Sequence, residues 1–177
     1  MDNTFFVFAK QNQDANNAII AIINNLSNEE REKNRGSYYG SLSGLVRHIA
    51  GGTSFFMSMY KTALADNADA QKVCVSIENV ELPEGELAES QWKTVAENIK
   101  IVDAAFISFV ETLKDSDLDA PVELNWFGGN PPSVPLSYMI QSLIAHGLHH
   151  RGQISQILDE MKIDNDYSGI SPKFLHR

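Results

Sequence analysis

The chain is short of cysteine, of positive charge and of long apolar runs, and each shortage excludes something. Among 177 residues there is one cysteine, Cys74, so no disulfide can form within the chain. A lone thiol fits a reducing compartment. Lysine and arginine number 14 against 23 aspartates and glutamates, a formal net charge of −9. Nucleic acid is bound through clustered cations, so it is not an expected partner. The longest charged run, Glu29-Glu30-Arg31-Glu32-Lys33, mixes both signs and reads as a solvated helix end or loop. No stretch reaches the roughly 18 consecutive apolar residues of a membrane-spanning helix, so no membrane segment is expected. The apolar patch near the N-terminus, Phe5-Phe6-Val7-Phe8, is too short for a signal peptide and has no basic residues ahead of it. A cytoplasmic protein is the expectation.

What remains is enough for one domain. A chain of this length buries roughly two thirds of the surface that it exposes when unfolded, so it does not depend on a structural metal to fold. A single domain over residues 1–177 is expected, ending in a short tail from about Lys162. Internal repeats and low-complexity tracts are lacking.

Four segments carry helical periodicity. The first spans about Thr4 to Leu26, with Phe8, Asn12, Ala15, Ile19, Ile22 and Leu26 on one stripe. The second spans about Ser41 to Leu64, with Leu42, Leu45, Ile49, Gly52, Phe56 and Ala63 on or near one stripe. Its mid-helix pair Gly51-Gly52 costs about 1 kcal/mol per glycine relative to alanine. That cost points to close helix approach or to space kept for a ligand. The third runs from about Ala88 to Lys114 on a seam of Val95, Ile99, Val102, Phe106, Phe109 and Leu113, with its cap near Ser90. The fourth runs from about Leu136 to Met161, led by Pro135, a residue tolerated at a helix start. Its seam is Ile140, Leu143, Gly147, His150, Ile154, Ile157 and Met161. Between the second and third helices, Val73-Cys74-Val75-Ser76-Ile77 looks strand-like but has no partner run, and an extended loop is expected from Asp66 to about Glu86. Before the fourth helix, Gly128-Gly129-Asn130 between apolar residues is suited to turning a small hairpin. These elements make an all-α four-helix bundle the expected fold.

The chemistry concentrates in His146-Gly147-Leu148-His149-His150-Arg151-Gly152-Gln153. His146 and His150 lie one helical turn apart on the same face, a spacing at which two imidazoles reach one metal ion. His150 takes a seam position where leucine or isoleucine is usual, and His146 flanks that seam. His149 falls on a more polar face. A buried imidazole needs partners for both nitrogens, and a metal supplies one. Of five histidines in all, His176 lies near the C-terminus. That leaves His48, within three and four residues of Leu45 and Gly52, as a third ligand from the second helix. Three imidazoles leave positions free for water, as in catalytic rather than structural zinc sites. Cys74, on the expected loop, is a poor ligand candidate.

At these residues the sequence resembles the DinB-like (DinB/YfiT-like) family of four-helix-bundle metalloenzymes. The shared features are a histidine on the second helix, here His48, and the fourth-helix pattern His-x-x-x-His-Arg-Gly-Gln, here His146 to Gln153. The resemblance covers nearly the whole chain, apart from the link Val73 to Gly85 and the tail. It implies a site of His48, His146 and His150 for nickel, zinc or a similar divalent ion such as iron or manganese, and a homodimer. It also implies a small-molecule substrate. Relatives include transferases that attach low-molecular-weight thiols to electrophiles, so a thiol-dependent S-transferase is the first expectation. A metal-dependent hydrolase and a non-catalytic metal or small-ligand binding protein are the alternatives. Arg151 and Gln153 are expected to be structural. Asn12, Asp103 and Glu97 lie on helices, and none is assigned as a general base.

Overall fold

The computed structural model describes residues 4–167. Four long helices carry the architecture: α1 (Thr4–Ile23), α3 (Leu42–Ala63), α5 (Glu89–Thr112) and α6 (Leu136–Glu160). Two shorter helices, α2 (Asn28–Glu32) and α4 (Ala68–Ser76), lie in the connections. Each long helix packs on two others, in the cyclic order α1, α5, α3, α6. The result is the expected all-α four-helix bundle. No helix among the described residues is long and apolar enough to cross a membrane.

Local chemistry explains the boundaries. Ser41 caps α3, its Oγ accepting the Gly44 N–H at 3.0 Å. At the start of α5 the cap is Ala88, not Ser90. Alanine has no acceptor to offer the helix, and the Gln91 side chain compensates by accepting the Ala88 N–H at 2.8 Å. The interior follows the apolar stripes. The seams of α5 and α6 are buried from Val95 to Phe109 and from Ile140 to Ile157. On α1 the buried stripe is rotated relative to the sequence reading. It passes through Ala9, Asn12, Asn16, Ile19 and Ile23, and leaves Phe8 44% exposed.

Two connections differ from expectation. The extended loop expected from Asp66 contains α4, capped by Asn67, whose Oδ1 accepts the Ala70 N–H at 3.1 Å. Ala70 and Cys74, one turn apart, are the buried pair, and α4 packs on α5. The charged run expected as a solvated end forms α2, and Arg31 within it is only 2% exposed. Its guanidinium lies over the Trp92 ring, 5.5 Å from the centroid, and is bound by Glu89 and the Leu26 carbonyl.

The turn before α6 forms as expected. Strands β1 (Pro121–Glu123) and β2 (Ser133–Pro135) pair antiparallel, with Val122 opposite Val134. Gly128 and Gly129 turn the chain at φ of 66° and 61°, a region that favours residues without a Cβ. The hairpin continues directly into α6 and so fixes the register at which that helix enters the bundle.

Candidate metal centre

Helices α3 and α6 run antiparallel. The Tyr60 hydroxyl of α3 donates to the Met139 carbonyl of α6 at 2.8 Å near one end. Further along, His48 faces His146 and His150. The structure brings all three sequence-predicted residues together. The Nε2 atoms of His48 and His146 stand 2.8 Å apart, and those of His146 and His150 stand 3.1 Å apart. One nitrogen from each of the three lies within 4.8 Å of the others. His149 is exposed, its ring edge-on to His150 at 4.8 Å, and stays outside the cluster. Cys74 lies buried on α4, where burial pushes its thiol up to about 11 and keeps it protonated.

Each imidazole is held by a different device. His150 pairs its Nδ1 with Gln153 Oε1 at 2.7 Å. An amide oxygen only accepts, so Nδ1 carries the proton and Nε2 turns its lone pair into the cluster. His48 stacks on Tyr39, ring centroids 3.7 Å apart and planes 17° from parallel. Tyr39 also meets His150 edge-on at 5.3 Å, so one aromatic ring walls two of the three histidines. His146 needs a gap in α3. A Cβ added at Gly52 would stand 2.7 Å from His146 Cε1. Gly52 therefore keeps room for an imidazole.

Electrostatics keep the cluster in its ligand form. His48 is lowered to about 4, by burial and then by His146, His150 and Arg47. His146 is also lowered to about 4, by burial and then by His150 and His149. Burial lowers His150 too, against the opposing hydrogen bond from Gln153. All three are neutral at pH 7, as a metal requires of imidazole.

The donor set fits one divalent ion. His146 Nε2 stands at hydrogen-bond distance from the Nε2 atoms of both neighbours, of which that of His150 presents a lone pair, while His146 Nδ1 has no hydrogen-bond partner among the described residues. The separations of 2.8 and 3.1 Å are short enough for these nitrogens to share one ion. No carboxylate joins the cluster among the described residues. The three groups left open as bases are accounted for elsewhere. Glu97 pairs with Lys100 at 2.8 Å on the surface, and Asn12 and Asp103 belong to the core network described next.

Arg151 and Gln153, both expected as structural, divide. Gln153 orients a candidate ligand. Arg151 is structural, with Nη1 donating to the amide oxygens of Asn12 and of Asn16, the latter at 3.2 Å. Those amides donate in turn to Asp103, Asn12 at 3.3 Å and Asn16 at 3.2 and 2.9 Å. The network ties α6 to α1 and α5. Burial pushes the Asp103 carboxyl up to about 7, with Asn16, Arg151 and Asn12 pulling the other way. Gly147 lies against it, since a Cβ there would stand 2.9 Å from Asn12 Oδ1. At Gly152 an added Cβ would meet nothing within 4 Å, so no close packing requires the glycine there. The signals missed in the sequence are Tyr39, which no helical spacing marks, and Gln153, which lies three residues from His150 on the same helix.

The DinB family model matches residues 1–161. The chain belongs to the DinB family. Two solved structures share its fold. A DinB-like protein from Bacillus subtilis is 17% identical, with a TM-score of 0.60 over 89% of this chain and 93% of that one. A DinB-like protein from Bacillus cereus is 18% identical, with a TM-score of 0.54 over 93% and 95% of the two chains. None of the curated proteins matches. The family and a three-histidine cluster are thus compatible with a DinB protein that binds a metal.

Proposed function

We propose that this DinB protein is a divalent-metal-dependent enzyme, a thiol-dependent S-transferase, with His48, His146 and His150 as metal ligands. The observation that carries the reading is the convergence of three neutral Nε2 atoms, one of them fixed in tautomer by Gln153. The all-imidazole donor set suits nickel or zinc, and iron or manganese after them. Bound there, the ion would supply Lewis acidity and favour the thiolate form of a sulfur nucleophile.

The chain's own groups favour a thiol over water. A water nucleophile in metal-dependent hydrolysis is commonly served by a nearby general base, such as the glutamate of His-Glu-x-x-His helices. Here the cluster's neighbours are the Tyr39 ring, the Phe56 ring at 6.2 Å from His146, the Gln153 amide and the exposed His149 ring, 4.8 Å from that of His150, and no carboxylate joins them among the described residues. A low-molecular-weight thiol ionises near pH 8.5 without such help. Phe56 and Tyr39 would exclude water and offer apolar contact to a small electrophile. A single cytoplasmic domain acting as a homodimer completes the reading, and sedimentation at twice the chain mass would support the dimer.

The test uses metal-loaded protein with a cobalt(II) substitute, a cytosolic thiol and a chromogenic electrophile such as 1-chloro-2,4-dinitrobenzene. A thiol-dependent change in the cobalt absorption bands together with thiol-dependent turnover supports the transferase. Ester turnover without thiol would replace it with the hydrolase. Metal binding with neither activity would leave a binding protein.

A further inference from the structure

Arg151 and Gly152 line a cavity on the other side of α6 from the metal centre. His146 and His150 turn toward α3, whereas this cavity lies between α1 and α6. Its volume is about 380 Å³, within the range of small-molecule pockets. The walls are apolar: Phe8 from α1, and Ile144 and Leu148 from α6. Phe8 is 44% and Leu148 65% exposed. Its polar lining is Gln11, Asn12, Arg151, Ser155 and Tyr167.

Arg151 has capacity to spare. It is 7% exposed, and its bonds to Asn12 and Asn16 engage Nη1 alone. Nε and Nη2 make no bond to another described residue, and neither is among the polar atoms sealed from open space. A guanidinium edge with two free N–H directions matches a planar carboxylate. The counter-charge makes no direct bond to the guanidinium: Asp103 meets Arg151 through the two asparagine amides and by its charge. A ligand with several negative charges is disfavoured by that same carboxyl behind a single cation.

We infer that this cavity binds a small monocarboxylate with an apolar body. The carboxylate meets Arg151 and Gln11, and the hydrocarbon lies against Phe8, Ile144 and Leu148. The site is separate from the metal centre and does not depend on the transferase reading.

Octanoate is the probe, titrated into the full-length protein by isothermal calorimetry beside octylammonium and octan-1-ol. Octanoate is expected to bind at least tenfold more tightly than either control. Removing Arg151 would also disturb the core network, so the deciding variant is Gly152→Trp. Its new side chain starts where nothing lies within 4 Å and fills the cavity mouth. Gly152→Trp is expected to abolish octanoate binding while helicity and metal affinity stay as in the parent. Equal binding of the three probes, octanoate binding that survives Gly152→Trp, or no octanoate binding would each overturn the inference. The last outcome with a dimer that Gly152→Trp dissociates would make the groove an interface between copies instead.

Discussion

At the scale of the residue, the account rests on how each imidazole is aimed. Gln153→Leu removes the acceptor from His150 Nδ1 and frees the ring to turn. Loss of such a partner lowers metal affinity by about 10- to 100-fold, which competition with a chromogenic chelator would measure, and the fold should be unchanged. Gly52→Ala separates affinity from stability. Alanine favours the helix by about 1 kcal/mol, yet its Cβ would displace the His146 ring. The variant is therefore expected to unfold at an equal or higher urea concentration and to hold metal at least tenfold more weakly. A parallel fall of both quantities would show that Gly52 serves packing alone.

The titration of the cluster gives a third expectation. His48 and His146 are lowered to about 4 in the folded protein, against about 6.5 unfolded. Between those values the unfolded chain takes up protons that the folded one does not. These two groups therefore leave stability intact above about pH 6.5 and erode it as pH falls toward 4. Protons compete with metal only near the folded values. Metal retention should hold from pH 7 to about pH 5 and collapse near pH 4, as read by metal content after gel filtration at each pH. Half-loss near pH 6.5 would mean imidazoles that are ordinary and solvated. The spacing of His146 and His150 was legible because a helix turn is a fixed distance. His48 was legible through the stripe of α3. Tyr39 was not, because it stands in a loop where no period tells which side chains meet.

At the scale of the element, the four long helices could be read from period alone, with ends correct to within three residues. The failures have local causes. Val73, Val75 and Ile77 alternate like a strand, but Ala70 and Cys74, one turn apart, are the residues that α4 buries, and the Asn67 cap starts a helix. In α2 a mixed charge run looked solvated because the sequence does not show that Glu89 and Trp92 wait across the bundle for Arg31. Arg151 was hardest to place, since its partners lie on α1 and beyond them on α5. Arg151→Met leaves two buried asparagine oxygens without their guanidinium donor and the buried Asp103 carboxyl without the cation behind them. Breaking a buried charge network in this way costs about 3–5 kcal/mol, to be measured as a lower urea midpoint at unchanged slope. A loss below about 1 kcal/mol would show that water already satisfies these groups.

At the scale of the whole molecule, a chain of net charge −9 folds as a DinB bundle around a small, nearly neutral pocket of three histidines. The bundle sets α3 and α6 side by side, and the hairpin before α6 fixes the register that brings His146 and His150 opposite His48. Metal binding at that point is the central claim. It is tested most directly by the metal content of protein purified without an affinity tag, beside His150→Ala. The expected result is about one equivalent of a divalent ion per chain, lost in the variant while the helical content stays the same. A metal-free protein that also fails to take up added nickel or zinc, or a variant that keeps its full complement, would contradict it.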